Sequence, residues 1–546
     1  MRHHITPLLL LAALGGCGGG GGADHGERTD FVVSGVVTYD DRIYGPGPDQ
    51  AEYRFLRTEA KPTRHATVQV VNSDGRVLAE ATVGETGDYA LAAAGGSHES
   101  MRLRVLAQTR TGAPVEIKDF AGNVVSVSKA FTPDALPARL DLAVPGEIAG
   151  AFNMLDVYTA AGEFVHEHHG EFPPLLSVYW QPGSTPPGGT TYHCRSCNGG
   201  IYVLGGVSTP EGITGDTDHF DDDVLLHEYG HFLEHAFGVL HSPGGMHTLL
   251  DNTQDLRLAW SEGFSSFMAG AIKAWLGERR HPTLSSEGLP YSGYVDTANG
   301  TTGPGGGLHY DFNTVPVWLD SVIRYASNET AVAKALWNLH AADTGMKDIW
   351  EVFATGLPAA AAAPDYPASL ETFWDAWQAS SQVAMPNAQA VSALAERHIH
   401  YSGDLHEADD TLDALLPSRA YQGAEDHNLF KAARASETDL IPFDADTGTR
   451  YRVETYDLIN GAHTDLRITD GNGYPLAQQK ASSAANAPND GCALAARIDA
   501  FEPPYPGRFF VHVMRSSTQK PFAGRYGGYQ LRITALSPSA PPVACP

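Results

Sequence analysis

The chain has 546 residues, of which 64 are acidic and 36 basic, giving a formal charge of −28. That imbalance argues against nucleic acid or an anionic membrane surface as the main partner. The length allows two or three domains, and 58 glycines with 35 prolines point to loop-rich, partly β modules rather than an all-helical protein.

Residues 1–17 open with Arg2, continue through an apolar run at 8–14 and place small residues before Cys17, the pattern of an export signal. The run is too short to span a membrane as a mature helix. Leu14, Gly15, Gly16 and Cys17 resemble the lipobox of bacterial lipoproteins, which implies cleavage before Cys17 and membrane attachment through a lipid on that cysteine. A plain secretory signal is the alternative. Gly18, where an aspartate would favour retention at the inner membrane, points to the outer membrane and a periplasmic or surface location. Residues 18–30, rich in glycine, read as a flexible tether.

Four cysteines remain, Cys194, Cys197, Cys492 and Cys545. In an exported chain this even number favours two disulfides, Cys194 with Cys197 and Cys492 with Cys545.

Residues 31–145 are β-patterned. Strands at 67–71 and 77–83 flank the turn Asn72-Ser73-Asp74-Gly75, a further strand opens at 87–91, and 101–107 alternates apolar with basic residues. The segment resembles the carboxypeptidase-regulatory-like, transthyretin-like β-sandwich. No catalytic constellation occurs in it, so a spacer or binding role is expected.

Residues 146–404 carry the chemistry. Helices are predicted at 151–161, 221–238, 256–268, 315–326, 329–340 and 370–379. In 221–238, DDDVLLHEYGHFLEHAFG, His227 and His231 are four apart and project from one helix face, with Glu228 beside them. Asp221, Asp222 and Asp223 offer an N-cap and suit the positive end of the helix dipole, and Gly238 is a C-terminal stop. In HExxH the imidazoles ligate zinc and the carboxylate serves as general base toward a zinc-activated water. A catalytic zinc ion takes three protein ligands, so a third is required.

HEYGH followed by Trp260-Ser261-Glu262-Gly263-Phe264 resembles the gluzincin metallopeptidases, in which a glutamate on a second helix completes the site. The resemblance implies one zinc ion held by His227, His231 and Glu262, with Glu228 as base. The insertion at 241–255 is a loop longer than usual there. The aspartate of thermolysin-like enzymes four residues after the glutamate is here Ser266, which leaves Asp251 or Asp255 to support the first histidine. Gluzincins also place an edge strand before the zinc helix, and residues 201–204 are the candidate, with a buried core strand as the equal alternative. A later tyrosine or histidine stabilises the oxyanion in that family. Here the glycine-rich 305–311 offers Tyr310 first and His309 second. His166, His168 and His169 read as a polar helix end, and His235, His241 and His247 as surface residues near the cleft. The catalytic part ends near residue 404.

Residues 405–546 return to β, with strands at 451–455, 465–470, 507–513 and 528–533. Their order resembles the bacterial pre-peptidase C-terminal domain, a β-sandwich attached to exported proteases. Acidic turn residues such as Asp470 are candidates for Ca2+, with a solvated turn the simpler reading.

The expectation is a multidomain, lipid-anchored protein: an N-terminal β-sandwich, a mostly α (α+β) zincin-like catalytic domain and a C-terminal β-sandwich. Its expected activity is that of a zinc metallopeptidase on peptide or protein substrates. Absence of the aminopeptidase signature GxMEN favours endopeptidase. The rivals are a non-enzymatic surface binding protein with a structural or decayed zinc site, and a zinc hydrolase of a non-peptide amide or ester.

Overall fold

The computed structural model describes residues 28–536 apart from 49–51, 198, 210–211, 246, 252–253, 255, 303–306, 317–318, 320–322, 325, 327, 343–345, 363–367, 398, 400–417, 423–437, 460–463, 480–495 and 516–527. The leader, Cys17, the tether, Cys492 and Cys545 lie outside the described residues.

The chain opens with the strands β1 (Arg28–Pro46), β2 (Tyr53–Pro62), β3 (Thr67–Val71), β4 (Val77–Thr82), β5 (Asp88–Gly96), β6 (Met101–Leu106), β7 (Gln108–Thr109), β8 (Val115–Lys118), β9 (Ser126–Phe131) and β10 (Leu142–Ala143). Strand β1 is long enough to serve twice: its first half pairs antiparallel with β5 and its second half with β2, while Val37 and Thr38 pair with β10. A second sheet has the order β4-β3-β6-β9. In β6 the alternation turns Met101, Leu103 and Val105 into the core and leaves Arg102 and Arg104 outside. These inward residues meet Val33, Val37, Val68, Val70 and Leu91. The arrangement is sandwich-like, as the sequence pattern predicts.

A third sheet changes the picture. After helix α1 (Ala149–His169) come β11 (Leu176–Tyr179), β12 (Tyr192–Cys194) and β13 (Gly200–Tyr202), and the sheet order is β12-β13-β11-β8-β7. Strand β11 pairs parallel with β8 on one side and with β13 on the other. The sheet therefore crosses residue 145, the expected domain boundary, and the apolar core is continuous across it. Helix α1 is buried along almost its whole length and on all sides, which is the condition of a central helix. It stops at Gly170, whose φ of 86° lets its N–H return to the His166 carbonyl, and the polar end His166, Glu167 and His169 is exposed as expected.

Two hairpins follow in sequence, β14 (Val207–Thr209) with β15 (Gly212–Thr214) and β16 (Gly293–Asp296) with β17 (Leu308–Asp311). Between them lie α2 (Asp222–Ala236) and α3 (Leu256–Glu278). Beyond them are α4 (Glu329–Ala341), α5 (Met346–Glu351), a π-helical turn at Val352–Gly356, α6 (Leu357–Ala360), α7 (Leu370–Ala379) and α8 (Asn387–Ala395). Of the helix predicted at 315–326, the described residues are turn, bend or irregular, with single turns closed by the Leu319 N–H on the Pro316 carbonyl and the Ile323 N–H on the Leu319 carbonyl, so the prediction does not hold for them.

The C-terminal part is a sandwich of two four-stranded sheets. It comprises β18 (Ser418–Gln422), β19 (Thr438–Ala445), β20 (Arg450–Ile459), β21 (Thr464–Thr469), β22 (Pro475–Gln479), β23 (Arg497–Phe501), β24 (Gly507–Arg515) and β25 (Gly528–Leu536). The orders are β18-β25-β20-β23 and β19-β24-β21-β22, closed on a core of their own that includes Val453, Ile468, Phe509 and Leu531. The protein is thus multidomain, with sandwich-like sheets flanking a set of helices. Among the described residues no helix is long and apolar enough to cross a membrane.

Candidate metal centre

The first turn of α2 is acidic, but none of its three aspartates caps it through a side chain. Each carboxylate is taken by a neighbouring segment instead: Asp221 accepts from the Thr297 N–H at 2.6 Å, Asp222 from the Ser285 N–H at 3.2 Å and Asp223 from the Val295 N–H at 3.0 Å. Asp223 also pairs with Lys273 of α3. The expected N-cap is therefore a set of ties that aims the helix. At the other end α2 stops at Ala236, and Gly238 is needed for space rather than for φ, since a Cβ there would stand 2.9 Å from the Phe353 ring.

Helices α2 and α3 pack closely enough to bring His227, His231 and Glu262 together, with one donor atom from each lying within 4.8 Å of the others. Nε2 of His227 is 3.2 Å and Nε2 of His231 3.4 Å from Glu262 Oε2. Both imidazoles turn Nδ1 outward onto α3. His227 Nδ1 meets Ser266 Oγ at 3.2 Å, and His231 Nδ1 meets Ser261 Oγ and Ser265 Oγ at 3.0 Å and Glu234 Oε2 at 3.4 Å. The group supporting His227 is thus the hydroxyl of Ser266. Asp251 is exposed, and Asp255 lies outside the described residues.

Opposite charges are drawn together here. Burial opposes charge on both His231 and Glu262, yet their mutual attraction overrides it, so the imidazole is held well above its usual range and the carboxyl well below. Glu228, one residue from the first histidine, is buried with Oε2 lacking any hydrogen-bond partner, and burial pushes its carboxyl up. Two nitrogens and one oxygen form a donor set of the kind zinc takes, and the Glu228 carboxylate beside it, which accepts from the His193 backbone, keeps Oε2 unpartnered.

These groups open into a cleft of about 950 Å³. One wall is β12, the edge strand of the five-stranded sheet, ending at the disulfide Cys194–Cys197. Strand β13, which contains residues 201 and 202, is paired on both sides, so among the described residues the open edge beside the helix belongs to residues 192–194 and the core-strand alternative describes 201–202. The opposite wall includes Tyr294 and Tyr310, stacked with centroids 5.2 Å apart. Tyr310 OH meets Ser266 Oγ at 3.2 Å. Alternation along β17 sends His309 the other way, onto Thr302 Oγ1 at 2.9 Å and the Tyr53 ring, away from the cleft, which corrects its expected role.

Of the later histidines, His247 reaches the cleft: its Nε2 is 3.7 Å from Glu262 and its Nδ1 2.7 Å from Glu329. Burial works against its charge, but the Glu329 contact wins and raises it to about 9. His235 is exposed, and His241 accepts from the Ala368 N–H. The described residues of the long insertion form neither helix nor strand and are pinned where Asn328 donates to the carbonyls of Leu249 and Asp251. Asn472 of the C-terminal sandwich also lines the cleft, and Arg257 of α3 stacks on Phe510 of that sandwich at 3.9 Å. The Asp470 carboxylate beside it accepts from Asn472 N–H, Tyr474 N–H and Tyr505 OH, so its oxygens are engaged by the turn. Sequence reasoning missed Glu234, Ser261, Ser265 and Tyr294. Glu234 alone carried a signal, lying one turn beyond His231 on the same helix.

No family model matches the chain. A stretch of 76 residues, 13% of the chain, is 40% identical to an uncharacterized protein of Archaeoglobus fulgidus, of which the match spans 22% of the length. Among solved structures, a cycloisomaltooligosaccharide glucanotransferase of Paenibacillus sp. complexed with cycloisomaltoheptaose aligns over 91% of this chain and 72% of that one, at 8% identity and a TM-score of 0.12. That match defines no shared fold.

Proposed function

We propose that the protein is a zinc metallopeptidase whose helical region is zincin-like, exported and attached to the cell envelope through a lipid on Cys17. The observation that carries this reading is the convergence of His227, His231 and Glu262 from two helices, with the unpartnered Oε2 of Glu228 in the same cleft. Zinc bound by those three residues would supply a Lewis acid that polarises a carbonyl and acidifies water.

The chain's own groups do the rest. Glu228 takes the proton of the attacking water and passes it to the leaving amine, a role for which its unpartnered Oε2 is available. The open edge of β12 pairs with an extended peptide backbone, so the substrate lies along residues 192–194 and across the histidines. Tyr310 donates its phenol proton in a hydrogen bond toward the developing oxyanion. Endopeptidase action is the preferred mode, because the aminopeptidase signature GxMEN is absent from the sequence.

The test is zinc stoichiometry on the purified chain lacking residues 1–17, paired with digestion of a broad peptide library. One zinc per chain with internal cleavage supports the proposal. One zinc with no cleavage of peptides but turnover of small amides or esters would redirect it to those substrates, and no zinc would overturn it.

A further inference from the structure

Behind the N-terminus of α2 a second constellation has no part in the proposed peptidase chemistry. Asp216, Asp218, Asp221 and Asp296 each offer a carboxylate oxygen, and these four oxygens lie within 4.8 Å of one another. The first three come from the segment leading into α2 and the fourth from the last residue of β16, so two separate pieces of chain supply the group.

Four carboxylates so close repel, and something must hold them. Asp221 is partly satisfied by Thr297, through its N–H and its hydroxyl, and Asp218 Oδ2 by the Thr191 hydroxyl. Among the described residues no lysine or arginine forms an ion pair with any of the four, although Lys61, Lys273 and Arg64 neutralise other buried aspartates nearby. Asp218 is only 3% exposed, and its Oδ1 is buried with no hydrogen-bond partner; the same holds for Oδ1 of Asp216, whose carboxyl faces that of Asp218. Two facing buried carboxyl groups must either share a proton or hold a cation between them, and with two further carboxylates gathered on the same spot a cation neutralises the group more completely than one proton does.

We propose that Asp216, Asp218, Asp221 and Asp296 bind a calcium ion. Calcium holds carboxylate oxygens at about 2.3–2.6 Å, so two oxygens on opposite sides of it stand at most about 5 Å apart, and the observed spread falls within that reach. An all-oxygen set suits a hard cation, whereas zinc is drawn to the imidazoles of the neighbouring centre. Burial pushes Asp218 and Asp221 well above the usual carboxylate range, reinforced at Asp218 by its hydrogen bond with Asp216 and at both by like charge, which is the cost a dication offsets. Asp218 and Asp296 also line the catalytic cleft. The ion therefore clamps the approach to α2 against the end of β16 and braces the wall beside the histidines.

The full chain, stripped of metal on a chelating resin and passed through gel filtration in calcium buffer, should retain one calcium, and its melting temperature should rise by several degrees with added calcium. The double variant Asp216→Asn/Asp296→Asn should lose both the bound calcium and the shift while keeping its zinc content, which separates this site from the zinc centre. If that variant does not fold, Asp296→Asn alone should bind calcium at least tenfold more weakly. No calcium retained by the wild type, or equal retention by the variants, would overturn the proposal. An equal shift with magnesium would overturn the assignment to calcium.

Discussion

Gly230 lies against Ser265 with no room for a side chain: a Cβ added to it would stand 2.5 Å from the Ser265 Cα and 2.8 Å from the Ser265 Oγ. Helices α2 and α3 approach backbone to backbone at this point, one residue before His231, and Ser265 is itself a partner of His231 Nδ1. Gly230→Ala should therefore push the helices apart, at the usual overpacking cost of about 1–3 kcal/mol, and disturb the imidazole. Thermal denaturation should show the loss of stability. Metal analysis should show a lower zinc content, and unchanged values for both would mean that the helices have room to yield.

Removal of any one ligand leaves two, too few to hold zinc tightly. His227→Ala, His231→Ala and Glu262→Ala are each expected to lose the metal on dialysis. Full zinc occupancy in Glu262→Ala would shift the third position to His247, the next donor in reach.

Glu228→Gln is expected to keep both zinc and fold, because Glu228 is outside the ligand set and glutamine is nearly isosteric. Activity should nevertheless fall by about two to four orders of magnitude, the usual contribution of a positioned base. Equal peptide cleavage by wild type and variant would remove Glu228 from the mechanism.

Outer partners of metal-binding histidines commonly contribute about 10–100-fold in affinity. Glu234→Gln, which weakens the acceptor beside His231, and Ser266→Ala, which deletes the group on His227, should each weaken zinc by about that factor in a competition titration with a chelator. A loss confined to Ser266→Ala would assign the whole orienting role to α3.

Tyr310→Phe removes a hydroxyl that faces both the cleft and Ser266. As an oxyanion donor Tyr310 should cost about 10²–10³ in kcat with KM and zinc content little changed. Reduced zinc affinity with kcat preserved at full metal loading would instead make it a support for Ser266. His309→Ala, on the opposite face of the same strand, should leave kcat unaltered.

What could be read from the sequence was local. The spacing of His227 and His231 fixes their shared face because a helix has a definite pitch, and the apolar periodicity of 370–379 matches α7, which in the structure Ser369 caps through the Thr372 N–H. Residues 67–71 were equally plain, being a β-branched run ended by an Asn-Ser-Asp-Gly turn. Pairing was not local. Nothing in Val115–Lys118 says that its partner is Leu176–Tyr179, beyond a whole helix, and nothing in 192–194 says that these residues rather than 201–204 keep the open edge. The serines that steady the histidines were hidden for a related reason: a serine on a buried helix face carries no signal until the facing helix is in place. Tyr310 and His309 were adjacent candidates, and only the direction of β17 separates them.

The sheet that spans residue 145 limits how this protein could have been assembled by exchange of genetic segments. Replacing everything before that residue with an unrelated module would strip β8 and β7 from one side of β11, exposing an edge that is now paired and opening the core beneath α1. The incoming piece would have to bring a matching parallel strand in the right register. The C-terminal sandwich, closed on its own core, carries no such debt to its neighbour, so recombination at that end is the freer of the two.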